Sequence, residues 1–501
     1  MARNLIKAHD KIKGLEWTPT YCTPEAKYQT RFHIPKKTKD PFRHLIRDYM
    51  AMEAEKDDRQ YGFLDGAVRM DNPNQIEPRF AEAMKPAMSI LPFAEYAAGK
   101  CQGMLISTVE NEELRNGYLA QMLDEVRHVQ QEMYLGRYFM KHYADPAGFD
   151  ISQKGFGGHF LASAGRAFFE TFIAGDPIEC SISLQVVGET AFTNPLFVAF
   201  PNTAAANGDH ATPTVFLSVQ SDEARHMANG YATLVTALSD DRNLPLIQEA
   251  IDKYFWRAHM FIDAFLGTLT DYFSVNRIGA YKNMWQQWII DDWVGSFIAR
   301  LEKFGLKPPR WLPQAQVNIP WINHSAAMTA FALWPVAFWR YDAMTEKDCA
   351  WFEEHYPGWD SAYGKFWEAY RLMADPKQGQ IPAQLFPSLP PLCQVCQMPC
   401  VFPRPDISTV RVVEKAGRKR AFCSEACEWM FDLEPQRYLN YVNWYEKFDG
   451  WDLADVIVDL GYLRPDGKTL IAQPHLNPEN LWTIDDIRRL KFTIEDPLRA
   501  A

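Results

Sequence analysis

Between about residues 61 and 375, apolar positions recur at steps of three and four over long stretches, and strand-like alternation is scarce. The pattern predicts a mainly α protein. Leu114, Tyr118, Met122, Glu125, Val129 and Glu132 form one such stripe, and Asn111-Glu112-Glu113 ahead of it has the composition of a helix start. Acidic side chains therefore sit on a stripe that should face inward. A second long helix is expected to lead through Phe168 and Phe172 to Glu189, kinked by Gly175 and Pro177 and ended or distorted at Asn194-Pro195. Residues 1–60 are charged and irregular, with a basic patch at Lys36, Lys37 and Lys39, and read as an arm that wraps the core or a partner. Residues 376–405 hold eight prolines and read as a linker. Residues 406–501 read as a small region of mixed character, with a strand-like Thr409-Val410-Arg411-Val412-Val413. The most apolar run, Ala326 to Trp339, is too short to span a bilayer and contains Pro335.

One five-residue frame occurs twice in the helical region, as Asp124-Glu125-Val126-Arg127-His128 and as Asp222-Glu223-Ala224-Arg225-His226. In each copy a carboxylate and an imidazole stand three residues apart, which on a helix places them on one face about one turn apart. With 63 acidic residues and 12 histidines among 501, composition alone yields roughly 1.5 acidic-x-x-His matches. One copy would mean little; two in the same frame carry an inference. The alternative is a pair of solvated, salt-bridged turns, but such a role needs no histidine at a fixed offset. The same spacing sought upstream finds Glu95, 30 residues before Glu125, and Glu189, 34 residues before Glu223. The two sets are related by shifts of 94, 98 and 98 residues. Thirty-odd residues make a long helix, a turn and part of a return helix. The six positions thus read as two helical hairpins, each giving Glu and Glu-x-x-His, the ligand set of a carboxylate-bridged di-iron centre in a four-helix bundle. The expected fold is a ferritin-like bundle (residues 61–375) extended by further helices, with the small mixed region behind it.

Carboxylates and imidazoles suit iron, manganese and, less distinctively, zinc. Four carboxylates match the charge of two divalent ions; without metal they would repel one another and some would take up protons. Two irons there could reduce dioxygen. Ligand histidines need a partner for the second ring nitrogen, and Asp124 and Asp222 are the expected acceptors, neutralised by Arg127 and Arg225. Iron storage, radical generation and oxygenation share this ligand set. Storage needs a shorter chain. A radical site like that of ribonucleotide reductase would place a tyrosine where Glu132 stands. Oxygenation needs an apolar pocket, for which Leu91, Phe168, Phe172, Leu196 and Phe197 are placed within a few turns of the ligands, although each also fits ordinary core packing. Thr193 is a candidate catalytic residue that could hydrogen-bond oxygen at the site, or equally its own helix carbonyl. Glu132 is the second candidate, bringing an extra carboxyl to the pocket.

The net charge of −11 leaves no general basic footprint for nucleic acid. The polar, charged N-terminus carries no signal peptide, and nine cysteines at this length do not form a disulfide framework; a reducing cytoplasm is expected.

Glu95-Tyr96, Arg115-Asn116-Gly117-Tyr118-Leu119-Ala120-Gln121, both pentapeptides, Val187-Gly188-Glu189, Phe192-Thr193-Asn194-Pro195 and Ala204-Ala205-Ala206-Asn207-Gly208-Asp209 together resemble the large (α) hydroxylase subunit of soluble bacterial multicomponent di-iron monooxygenases. Gly467-Lys468-Thr469-Leu470-Ile471-Ala472-Gln473-Pro474-His475 is similar to the methane monooxygenase branch. The resemblance implies NADH-driven insertion of one oxygen atom of O2 into a small hydrocarbon. It also implies a hydroxylase β subunit in an αβ or (αβ)2 assembly, a small coupling protein, and a separate reductase carrying FAD and a [2Fe-2S] cluster. Glu132, where methane oxidisers have Cys and the aromatic branch commonly Gln, together with the shorter chain and the cysteine-rich C-terminal segment, makes the chain look most like the alkene monooxygenases, which form epoxides. A short-chain alkane hydroxylase and a non-catalytic iron-binding protein are the rival expectations.

Cys393-x-x-Cys396 and Cys423-x-x-x-Cys427 have spacings that suit four thiolates around structural zinc. The segment Phe422-Cys423-Ser424-Glu425-Ala426-Cys427 resembles small treble-clef modules. Cys400 is left over, though it could replace Cys396; reduced spectator thiols are the alternative.

Overall fold

The computed structural model describes residues 15–17, 29–37, 46–149, 156, 158, 160–332, 344–373, 385, 388–401, 403–404, 407–439, 441, 443–471 and 481–499. Lys39, Pro335 and the stretch Ala472 to His475 lie outside them.

The architecture is mainly α. Helices α1 (Ile46–Met70), α2 (Pro78–Thr108) and α3 (Glu112–His142) open it. Asn111 caps α3 by accepting the Leu114 amide at 3.2 Å, so the long inward stripe begins where its sequence signal lies. Helix α1 runs across residue 60, where the arm was expected to end, and packs on the outer side of α3.

The expected long helix through Phe168 and Phe172 is broken. Helix α4 (Phe160–Phe169) tightens into a 3-10 turn at Glu170–Phe172, and α5 (Pro177–Ser181) starts afresh. Asp176 caps it by accepting the Ile178 amide at 2.9 Å, and Pro177 sits at the first turn, where a missing N–H costs nothing. The run then widens into a π-helical stretch, Ile182–Gly188, returns to α6 (Glu189–Asn194), and widens again at Pro195–Ala199 before α7 (Phe200–Ala206). Pro195 distorts the run without stopping it. Helix α8 (Ala211–Ala237) returns along α3, and α9 (Leu244–Ala258), a π stretch at His259–Asp263 and α10 (Ala264–Asp271) cover the bundle from behind.

The core of the bundle is thus α2, α3, the α5–α6 run and α8, one strand of backbone for each expected ligand segment. Two glycines permit its closest approaches. A Cβ on Gly117 would lie 2.6 Å from Asn229 Oδ1, and one on Gly230 would lie 2.8 Å from the Gln185 carbonyl oxygen.

The C-terminal region is small and mixed. A hairpin of β1 (Pro403–Arg404) and β2 (Ile407–Ser408) precedes one of β3 (Arg411–Lys415) and β4 (Arg418–Phe422), in register Arg411 to Phe422. Ser424 caps the following α11 (Glu425–Leu433). Within the stretch read as a linker, residues 392–400 are buried. The region is pinned to the bundle where Arg437 donates to the Ala174 carbonyl at 2.6 Å and Trp444 to that of Gly158 at 2.8 Å.

Candidate metal centre and its pocket

Glu95 comes from α2, Glu125 and His128 from α3, Glu189 from the first turn of α6, and Glu223 and His226 from α8. All six are buried or nearly so and converge on one point. His128 Nδ1 lies 3.5 Å from Glu95, 3.5 Å from Glu125 and 4.0 Å from Glu223. His226 Nδ1 lies 3.3 Å from Glu223, 3.6 Å from Glu189 and 3.7 Å from Glu125. Ligand atoms of Glu95, Glu125 and His128 fall within 4.8 Å of one another, as do those of Glu125, Glu189 and His226. Both Nδ1 atoms are buried without a hydrogen-bond partner, as are one oxygen each of Glu189 and Glu223. Unsatisfied buried polar atoms of this kind are expensive, and a pair of cations satisfies them together. Glu125 belongs to both groups and would be within reach of either cation.

The electrostatics of the bare cluster point the same way. Burial pushes Glu125 well above the usual carboxylate range and Glu189 up to about 7, opposed by the histidines. Burial lowers the two imidazoles, but the surrounding carboxylates more than reverse this and hold both well above the ordinary histidine value. Without metal, protons take its place.

The second ring nitrogens turn outward and crosswise. His128 Nε2 meets Asp222 Oδ2 at 3.1 Å, and His226 Nε2 faces Asp124 Oδ2 at 3.4 Å. Burial raises Asp124, yet hydrogen bonding to His226 and its charge bring it down to about 2. Arg127 contacts both aspartates at 3.0 and 3.2 Å, and Arg225 contacts Asp124 at 3.0 Å and Asp222 at 2.5 Å. Helix α1 completes this layer: Tyr49 donates to Asp124 at 2.6 Å, Lys56 pairs with Asp222, and Glu53 meets Arg127 and Arg225 at 2.5 and 2.8 Å. Glu53, Asp124 and Asp222 also approach closely enough to hold a cation, but these three basic side chains already neutralise them.

Sequence reasoning passed over an amide relay. Gln121 donates to Glu125 at 3.1 Å and to Glu189 at 2.7 Å; Gln185 donates to Gln121 at 2.6 Å. Asn229 donates to the Gly117 carbonyl at 3.1 Å. The signal was present: Gln121 and Gln185 each stand four residues before a site glutamate. Nothing local marks Tyr49, Glu53 or Lys56.

Against the cluster lies a cavity of about 100 Å³. Leu91, Phe168, Phe172, Leu196 and Phe197 all line it, with Glu132 and Thr193. Phe261, Ile262 and Phe265, not singled out from sequence, close its far side. The Thr193 hydroxyl donates to the Glu189 carbonyl, the helix-bonded alternative for that residue. Burial, then the charge of Glu95, pushes Glu132 well above the carboxylate range.

The four cysteines Cys393, Cys396, Cys423 and Cys427 form a second group, their sulfurs within 4.8 Å of one another. Cys423 Sγ lies 3.5 Å from that of Cys396 and 3.4 Å from that of Cys427. Burial opposes ionisation of Cys393, but hydrogen bonds from the other three hold its thiol well below the usual value. Cys400 stays outside the group. Among the described residues, no helix is long and apolar enough to cross a membrane.

A family model described as methane/phenol/alkene hydroxylase matches residues 17–241. The large subunit of the hydroxylase component of propane 2-monooxygenase from Gordonia sp. (strain TY-5) is 43% identical, over 98% of this chain and 94% of that one. The methane monooxygenase component A alpha chain of Methylococcus capsulatus (strain ATCC 33009 / NCIMB 11132 / Bath) is 39% identical, over 99% of this chain and 95% of that one. The alkene monooxygenase oxygenase component subunit alpha of Xanthobacter autotrophicus (strain ATCC BAA-1158 / Py2) is 23% identical, over 90% and 91%. The crystal structure of xenon-pressurized phenol hydroxylase from Pseudomonas sp. OX1 superposes with a TM-score of 0.78 at 25% identity, covering 91% of this chain and 92% of that one.

Proposed function

The chain belongs to the family of large hydroxylase subunits of bacterial multicomponent monooxygenases, and from that premise we propose that it is the catalytic subunit of a di-iron enzyme that oxygenates short-chain hydrocarbons. The observation that carries this reading is the pair of unpartnered Nδ1 atoms turned onto four carboxylates at the wall of an apolar cavity. Glu95, Glu125 and His128 would hold one iron, and Glu189, Glu223 and His226 the other. Two irons held there would supply the reductive activation of dioxygen. Asp124 and Asp222 fix the two rings so that Nδ1 faces inward. Gln121 holds Glu125 and Glu189 in place through its amide. Phe168, Phe172 and Phe197 pack the hydrocarbon and keep water away. Thr193 carries its proton at Oγ1 beside the cavity, parked on the Glu189 carbonyl.

The similarities of 43% and 39% to propane and methane enzymes, against 23% to an alkene enzyme, favour alkane hydroxylation over the epoxidation expected from Glu132. Alkene epoxidation on the same site is the second reading. The names of the relatives, hydroxylase component and alpha chain, support the existence of further subunits and components; in our reading these are a hydroxylase β subunit, a coupling protein and a reductase that delivers electrons from NADH through FAD and [2Fe-2S]. We place zinc on Cys393, Cys396, Cys423 and Cys427, and the whole protein in the cytoplasm, where thiolates stay reduced.

The test is iron analysis followed by a single turnover. Reduced hydroxylase with its coupling protein, given dioxygen, should convert propane to propanol. Propene oxide from propene with no propanol from propane would favour the second reading. No product from iron-loaded protein would defeat both.

A further inference from the structure

Glu132 stands one turn beyond His128 on α3, facing the cavity, and is 1% exposed. Neither carboxyl oxygen has a hydrogen-bond partner among the described residues. The cavity wall explains why. Its described lining contains no Lys, Arg, His, Asn or Gln, and its hydroxyl, that of Thr193, is given to the Glu189 carbonyl. The remaining polar lining groups are the glutamates of the metal cluster, which have no proton to spare once metal is bound. A carboxyl left bare in such a wall costs stability, and a leucine would fill the same place without that cost. The missing partner therefore belongs to whatever occupies the cavity. Lone water fits poorly, because an ordered water needs two to four polar neighbours and, away from the metal cluster, the described lining is apolar apart from Thr193 and Glu132 itself. A small molecule with an oxygen at one end and alkyl carbon at the other fits both walls.

We propose that Glu132 is a specificity-determining residue: its carboxyl hydrogen-bonds an oxygen of the bound molecule, so that the pocket takes short-chain alcohols and ethers in addition to alkanes of the same size. This rests on the reading of the cavity as the substrate site. A carboxyl oxygen accepts from an alcohol hydroxyl, and a protonated carboxyl also donates to an alcohol or ether oxygen.

Propane, dimethyl ether and ethanol have the same number of heavy atoms and isolate the effect of the oxygen. Their binding to the iron-loaded hydroxylase is measured directly by calorimetry for the wild type, E132Q and E132L. The wild type should favour ethanol and dimethyl ether, relative to propane, by more than E132L does. E132L should lose roughly tenfold or more of that preference, and E132Q should keep most of it. The infrared carbonyl band of the Glu132 carboxyl, identified by its loss in E132Q, should shift on adding ethanol and stay fixed on adding propane. Equal preference in wild type and E132L, or a band indifferent to ethanol, overturns the proposal and leaves Glu132 as packing. If the complete enzyme oxidises none of the three while the binding preference holds, the oxygenase reading fails and this one stands.

Discussion

Nε2 of His128 lies 3.1 Å from the carboxylate of Asp222 on the opposite helix, although Asp124 stands four residues before it on its own. His226 returns the arrangement by facing Asp124. The two pentapeptides therefore brace each other: α3 and α8 can fix their rings only when packed together, which ties the metal site to the pairing of the two helices.

Replacing Asp222 with Asn keeps the shape and an acceptor oxygen but removes the charge that holds the His128 ring and raises its basicity. D222N should fold, with unchanged helical circular dichroism, and bind iron about ten- to hundredfold more weakly in a chelator competition. D124N should do the same through His226. Undiminished iron affinity in both would show that the crossed pairs do not orient ligands.

The bare cluster has a distinct pH signature. The folded-state value of Glu189, about 7, lies above its ordinary 4.5, so its contribution to stability is full below about 4.5 and is lost as pH rises toward 7. That loss is worth about 3 kcal/mol. The raised His128 and His226 act in the same direction at higher pH. Metal-free protein should therefore melt at falling temperature from pH 5 to 8, and iron-loaded protein, whose carboxylates are ionised throughout, should show a much flatter profile. Parallel profiles for the two forms would count against metal at this cluster.

The cysteine group predicts about one zinc per chain, independent of iron content. C423S should lose that zinc and expose the C-terminal region to protease while the iron stays bound. Zinc-free native protein with intact cysteines would remove the assignment.

How much of this was legible in the sequence follows from distance along the chain. The gathering of Glu95, Glu125, His128, Glu189, Glu223 and His226 could be read because helical spacing converts sequence offsets into faces, and the repeat supplied an internal control. The outer layer from α1 could not: Tyr49 and Lys56 reach partners 75 and 166 residues away, with no local pattern to announce it. The π stretches flanking α6 were equally hidden. Pro195 signalled a distortion, but how a helix widens depends on what packs against it. Within the proline-rich stretch, Pro390, Pro391 and Pro399 flank Cys393 and Cys396, and residues 392–400 are buried, a placement that proline content alone does not announce.

Gly230 offers the sharpest test of how tightly the centre is built. A Cβ there would lie 2.8 Å from both the Gln185 carbonyl oxygen and its Cβ, on the π stretch that leads into Glu189. Backbone cannot swing aside as a side-chain tip can, so α8 must move away from the stretch, at a cost of about 1–3 kcal/mol. The same movement draws Gln185 from Gln121, and Gln121 is the donor to both Glu125 and Glu189. G230A should therefore lower the melting temperature and, beyond that, alter the electronic spectrum of the iron centre and slow turnover, whereas an alanine on an exposed glycine such as Gly62, with open space around its Cβ, should do neither. A G230A protein with native stability and an unchanged spectrum would mean that the helices slide freely past each other and that the amide relay does not position the glutamates.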